Sequence, residues 1–281
     1  MQIIPFLHDL PSTLVYAVFM LGAGTMAGLT CLVVTPRLNL PVAKDHLDLA
    51  MRTSGTVTAA LTLTLAFCAV QARSQVADAQ RLVSAEVSAI GSLARTAERL
   101  GPQGHAMRAE AMRYLEAVAG TEFPRMARHG ADPETQRRAE ALERAVFEAA
   151  GQVAPLFATD LLQEEDQVEE ARQARLDAAA AGLPTPFWTL ILVLVALLIG
   201  TGLLYPPRRL NAVMLAVQAA GIGALIAFVF VMDKPFRGHQ AISAEPYRHL
   251  QRSIAHRAEQ PARFSAPPGQ GMEAPGPQRR I

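Results

Sequence analysis

Cysteine, lysine and tryptophan are scarce in this 281-residue chain, which has two Cys, one Trp, and only Lys44 and Lys234 as lysines. Cys31 and Cys68 both sit in apolar surroundings, where a thiol behaves as a small hydrophobe. A disulfide framework or a zinc site is therefore not expected. His8, His46, His105, His129, His239, His249 and His256 show no ligand spacing, and no Gly-rich phosphate loop or nucleophile motif occurs. These absences argue against a metal, a cofactor and catalysis. A formal net charge of +1 gives no reason to expect nucleic-acid binding.

Charge itself is missing from four long stretches: Ser12 to Thr35, Thr53 to Ala72, Phe187 to Tyr205 and Leu210 to Met232. A hydrocarbon core about 30 Å thick takes about 20 apolar residues to cross as a helix, and each stretch meets that length. The chain reads as a polytopic membrane protein whose first partner is the lipid bilayer. Its N-terminus has no basic n-region, so the first stretch reads as a retained helix and not a signal peptide. Gly22, Gly24 and Gly28 in that stretch mark close packing against another membrane helix.

The segment between the second and third stretches is charged. From Ser74 to Pro186 it holds 12 Arg against 18 Asp and Glu, a net of −6. Beyond Arg73, small and apolar residues fall at Val76, Ala79, Val83, Ile90, Leu93, Ala97 and Leu100, the three-and-four spacing of a packed helix. One helix should therefore run from the membrane to Leu100, where Gly101-Pro102 ends it. Further helices are expected over His105 to Arg128, Pro133 to Ala150 and Leu156 to Ala181. Pro36 to Arg52 reads as a short polar turn, and Pro206 to Arg209 as a tight hairpin. A short helix should begin near Ser243 as its N-cap, and the tail from Glu259 onward has a disordered composition.

These readings divide the chain into a first transmembrane pair (1–72), a helical soluble insert (73–186), a second pair (187–232), a juxtamembrane motif with a short helix (233–258) and a disordered tail (259–281). The expected fold class is an all-α membrane protein, with four transmembrane helices in a two-plus-two arrangement around the insert. Four crossings place both termini and the insert on one side. Basic residues near the membrane ends nearly tie between the two sides.

Several polar residues stand out. Glu86 lies on the apolar seam of the long helix, where an unpaired acid is costly. It is read either as a structural ion pair with an Arg of a neighbouring helix or as an acid lining a vestibule. Thr56, Ala59, Leu63 and Phe67, with Val70, share one face of the second membrane helix. A hydroxyl-lined mouth narrowing to bulky apolar groups suits a dewetting constriction, and it equally suits packing against other helices. Gln218 calls for an interhelical hydrogen bond. The acidic run Glu164, Glu165, Asp166, Glu169 and Glu170 reads as a solvated face.

The run Leu65-Ala66-Phe67 leading to Arg73, then Arg81-Leu82-Val83, Glu86 and Ala89-Ile90-Gly91, is similar to the bestrophin-like domain family of bacterial membrane proteins. The juxtamembrane motif of Asp233, Pro235, Phe236 and Gly238, followed by Ile242-Ser243, resembles the same family. That resemblance implies a bestrophin-like architecture in the bacterial inner membrane. Five subunits would surround an axial pore for small anions such as chloride, with termini and insert cytoplasmic. It also implies that the second membrane helix lines the pore, with a neck at Ala59, Leu63 and Phe67. The acidic calcium clasp of animal bestrophins has no counterpart, so calcium gating is not expected. The alternative is a non-conducting scaffold or signalling module whose insert binds a protein partner.

Overall fold

The computed structural model describes residues 10–38, 44–238 and 241–259. Among these residues the chain is helical, with no strand. Helix α1 (Ser12–Leu29) continues through a π-turn (Thr30–Val34) into α2 (Thr35–Leu38). Helix α3 spans Lys44–Arg99, and α4 (His105–Ala117) passes through a second π-turn (Val118–Glu122) into α5 (Phe123–His129). Then follow α6 (Pro133–Ala150), α7 (Pro155–Ala180), α8 (Thr185–Gly202), α9 (Arg209–Met232) and α10 (Glu245–Glu259). Four of the helical segments are long and apolar enough to cross a membrane.

Two expectations are corrected. The turn expected over Pro36 to Arg52 is largely helix, because α3 begins at Lys44. Polar composition suggested a turn, but no glycine or proline follows Pro41 before Arg52, and Leu47, Leu49, Ala50, Met51 and Arg52 are good helix formers. The helix expected over His105 to Arg128 contains a π-turn, which inserts one extra residue per turn without ending the helix.

Local chemistry explains the other boundaries. Gly101 adopts φ +61°, a conformation natural to glycine, and it stops α3. Asp132 caps α6 by accepting from the backbone N–H of Glu134 and Thr135, and Pro133 occupies the first turn. At α10, the Ser243 hydroxyl accepts from the Glu245 N–H at 3.1 Å. At 1.5 Å per residue, the 56 residues of α3 extend about 84 Å. This one helix links the membrane layer to the insert.

In the membrane layer α1 lies along α9. Gly24 faces Ala216 and Ala220, and Gly28 faces Ala212 and Ala216, whereas Gly22 has open space around it. A Cβ on Gly223 would stand 2.5 Å from the Phe19 carbonyl oxygen, so the two backbones meet where only hydrogen fits. Leu61, Leu65, Cys68 and Ala72 of α3 form a second core with Ile191 of α8 and Ile222 and Val229 of α9. Gln218 donates to the Thr58 hydroxyl at 2.9 Å, the interhelical bond expected of it.

The insert packs the lower half of α3 against α7, with α4, α6 and α10 completing the bundle. Its core includes Val83, Ile90, Leu93, Met107, Leu115, Val146 and Leu161. Each such side chain contributes about 1.5–3 kcal/mol on burial. Helix α10 runs alongside α3 in the same direction: Tyr247 meets Glu86, Leu250 lies over Gly91, and Arg257 meets Glu98.

Candidate functional site

Helix α3 has two unlike sides. Along the membrane half, Leu61, Leu65, Cys68 and Ala72 are buried by the protomer's own helices. The opposite face carries Thr56, Ala59, Leu63, Phe67 and Val70, and all five are exposed. Leu63 is 73% exposed, Phe67 59% and Val70 70%. The ring of Phe67 stacks beside Phe187 of α8, with centroids 6.2 Å apart. The Thr56 hydroxyl donates to the Arg52 carbonyl at 3.1 Å, one turn back along the same helix. Among the described residues, all five positions of this stripe stay exposed.

Below the membrane half, the buried side of α3 carries Glu86, which is fully inaccessible. Arg175 of α7 grips it with two donors: Nε to Oε2 at 2.5 Å and Nη2 to Oε1 at 3.3 Å. Two phenols complete the carboxylate's shell, Tyr114 at 2.5 Å and Tyr247 at 2.7 Å. Arg175 also donates to Glu122 at 2.6 Å, and Glu122 accepts from Arg172 at 3.1 Å. Arg172 reaches Gln136 of α6 at 2.7 Å. Two buried arginines thus face two buried glutamates. The charges cancel within the cluster, and the hydrogen bonds satisfy the carboxylates, the condition under which buried ions are tolerated.

Burial and the nearby Glu86 carboxylate push the Tyr247 hydroxyl far above the ordinary phenol range. Burial works to lower the Arg175 pKa, but Glu86 outweighs it and holds the guanidinium charged. Burial raises the Tyr114 hydroxyl as well, so both tyrosines remain hydrogen-bond donors at physiological pH.

The juxtamembrane motif is joined to this cluster. The Asp233 carboxylate accepts from the Leu183 N–H at 2.6 Å, and burial raises its pKa. Lys234 donates to the Ala180 and Ala181 carbonyls at 3.3 and 3.1 Å, covering the end of α7. The Pro235 carbonyl accepts from the Ile242 N–H at 2.9 Å, and Gly238 turns the chain with φ +88°. Phe236 lies edge-on to Phe123, with centroids 5.9 Å apart. Phe123 in turn contacts Tyr247 at 5.3 Å and lies under Arg175 at 5.6 Å. A continuous chain of contacts runs from the end of α9 through Phe236, Phe123 and Arg175 to Glu86 on α3.

The Bestrophin-like domain family model matches residues 26–247. The chain belongs to the Bestrophin-like domain family. This Bestrophin-like protein shares its fold with solved structures of low sequence identity. A bacterial bestrophin homologue from Klebsiella pneumoniae is 14% identical, with a TM-score of 0.62 over 88% of this chain and 100% of that one. A tryptophan-to-alanine variant of a homologue from the same organism is 12% identical, with a TM-score of 0.64 over 89% of this chain and 100% of that one. A leucine-to-alanine variant described as a membrane protein is 11% identical, with a TM-score of 0.63 over 87% and 99%. No curated protein sequence matches this chain.

The structure separates the sequence-derived candidates into two groups. Thr56, Ala59, Leu63 and Phe67 share the open stripe of α3, whereas Glu86, Phe236 and, through Leu183, Asp233 belong to the packed junction. Sequence reasoning missed Arg172, Arg175, Glu122, Tyr114 and Tyr247. One signal was present: on α7, Leu161, Val168, Arg172, Arg175 and Ala179 are the buried positions, so two arginines occupy a helical seam. The amphipathic spacing of α7 is weak because those arginines interrupt it.

Proposed function

We propose that this Bestrophin-like protein is a homo-oligomeric, pentameric anion channel of the bacterial inner membrane. The α3 stripe of Thr56, Ala59, Leu63 and Phe67 faces the axial pore. The observation that carries this reading is the two-sidedness of α3: one side is buried by its own protomer from Leu61 to Ala97, and the other stays uncovered across the membrane. Around an axis, Leu63 and Phe67 from each copy would form an apolar neck that water wets only when it widens. The four membrane helices then form two pairs (1–72 and 187–232), with the insert (73–186), residues 233–258 and the tail (259–281) on the cytoplasmic side. Small anions such as chloride are the permeating species.

The junction around Glu86 fits a structural role in this reading. It fixes α3 to α7 and α10, so that the pore helix and the insert move as one unit. Imaging of the detergent-solubilised particle tests the assembly. Five-fold symmetry with α3 nearest the axis supports the pore, and a dimer with α3 facing lipid contradicts it.

A second reading has one observation in its favour. Phe147, Leu156 and Phe157 are more than half exposed at the far end of the insert, outside the membrane-spanning half. A non-conducting scaffold would use such a patch to hold a protein partner. Recovery of a stoichiometric soluble partner with a particle that lacks a central opening favours it.

A further inference from the structure

The stripe that faces outward from α3 does not end at the membrane. Leu63, Arg81 and Arg99 are 18 residues apart in turn, which is five whole helical turns at 3.6 residues per turn, so they fall on one line. Val70, Ser74, Ser88 and Arg95 lie on the same side, and all are exposed. The reverse side keeps its burial without interruption through Ala79, Val83, Glu86, Ile90, Leu93 and Ala97. The helix therefore presents one face along both its membrane half and its insert half. In the membrane that face is apolar, and below it the face is cationic.

This local sign runs against the insert as a whole, which has a net charge of −6. The acids on this half of α3 are all engaged. Glu86 is buried against Arg175, Glu98 is turned to Arg257 at 3.1 Å, and Asp78 pairs with Arg81 at 2.9 Å on the exposed side. Three arginines thus face one aspartate along the stripe. At the opposite membrane end the stripe carries Arg52 and, beside it, Asp48, both exposed, so the two signs offset. Along the described residues of this face, the excess of positive charge lies at the insert end.

We infer that Arg81, Arg95 and Arg99 set the charge selectivity of the channel by forming a cationic vestibule that concentrates small anions below the apolar neck. The inference rests on α3 being the pore helix. Around a shared axis the three positions repeat in every copy, and a cleft lined by one sign of charge raises the local concentration of counter-ions. Guanidinium groups hold their charge at any working pH. Val70 and Arg81 are separated by about 16 Å along the helix axis, so the charges lie below the constriction and act on ions before entry. Screening limits their reach to about 8 Å at physiological ionic strength, which makes the effect depend on salt.

The test is the chloride-to-potassium permeability ratio of the full-length protein in planar bilayers under a KCl gradient. The comparison is between the unsubstituted protein and the Arg81→Glu/Arg95→Glu/Arg99→Glu variant. The unsubstituted protein should favour chloride, and the variant should lower the ratio by about tenfold or more, with a larger change at low salt. Arg144→Glu, an exposed reversal on α6, should leave the ratio unchanged. If the triple variant yields no conducting particle, Arg81→Gln and Arg95→Gln singly should shift the ratio in the same direction. Conduction with an unaltered ratio, or a preference for potassium in the unsubstituted protein, overturns the selectivity role and leaves the pore intact. A well-folded oligomer without any conductance overturns the pore, and the selectivity role with it.

Discussion

Glu86 and Arg175 stand 89 positions apart in the chain and meet at 2.5 Å in a site that excludes solvent. The acid belongs to the helix with the open membrane face, and the arginine belongs to the helix that leads back into the membrane at α8. Their pairing ties the two ends of the insert together at one point. Removing one partner leaves the other charged and dry. Arg175→Met should therefore destabilise the protein by about 3–5 kcal/mol, read as a lowered melting temperature in detergent. Glu86→Gln should also lower the melting temperature, because Tyr114 and Tyr247 donate to different oxygens of the carboxylate and the single amide oxygen keeps only one of the two bonds. An Arg175→Met protein as stable as the parent would show that the cluster does not hold the insert together.

Phe123 is held between Phe236, Tyr247 and the Arg175 guanidinium. Phe236→Ala leaves a cavity beside it, at a cost of about 3–5 kcal/mol. The loss should be local first, with faster amide hydrogen exchange in α10 and slow exchange retained in the membrane half of α3. Uniform loosening of all helices would contradict the role given to Phe236 as the anchor of α10.

The long helix and the insert helices were legible because apolar spacing and breakers such as Gly101-Pro102 act locally. The candidate site was legible in part. Glu86 stood out as an acid on an apolar seam, and the membrane stripe stood out as hydroxyls giving way to Leu63 and Phe67. The partners of Glu86 were hidden because Tyr114, Arg175 and Tyr247 come from three separate helices, and no local rule pairs residues 28, 89 and 161 positions away. The start of α3 at Lys44 was missed for a different reason. Charged residues suit a turn and a solvated helix equally, and packing decides between them.

Gly223 meets the Phe19 carbonyl so closely that even one methyl group has no room. Gly223→Ala should push α9 away from α1 and lower the melting temperature. Gly22→Ala, which enters open space, should be neutral or slightly stabilising through its better helix propensity. Equal behaviour of the two variants would contradict the close α1–α9 contact.

Glu165 is half-buried on α7. Burial, with Glu143, Asp166 and Glu169 nearby, pushes its pKa from 4.5 up to about 7. Between those two values the folded protein holds a proton that the unfolded chain releases, so stability falls as pH rises through that window. Glu165→Gln should flatten the fall between pH 4.5 and 7 and raise the melting temperature at pH 8. A pH profile identical to that of the parent protein would show that this carboxyl group is ordinary.

The most direct measurement is chloride efflux from liposomes containing the purified full-length protein, compared with its Leu63→Ala and Phe67→Ala variants. A pore along the open face of α3 predicts efflux from the parent protein and a changed rate when either neck side chain is shortened. No efflux from well-folded oligomers, or efflux indifferent to both substitutions, would contradict it.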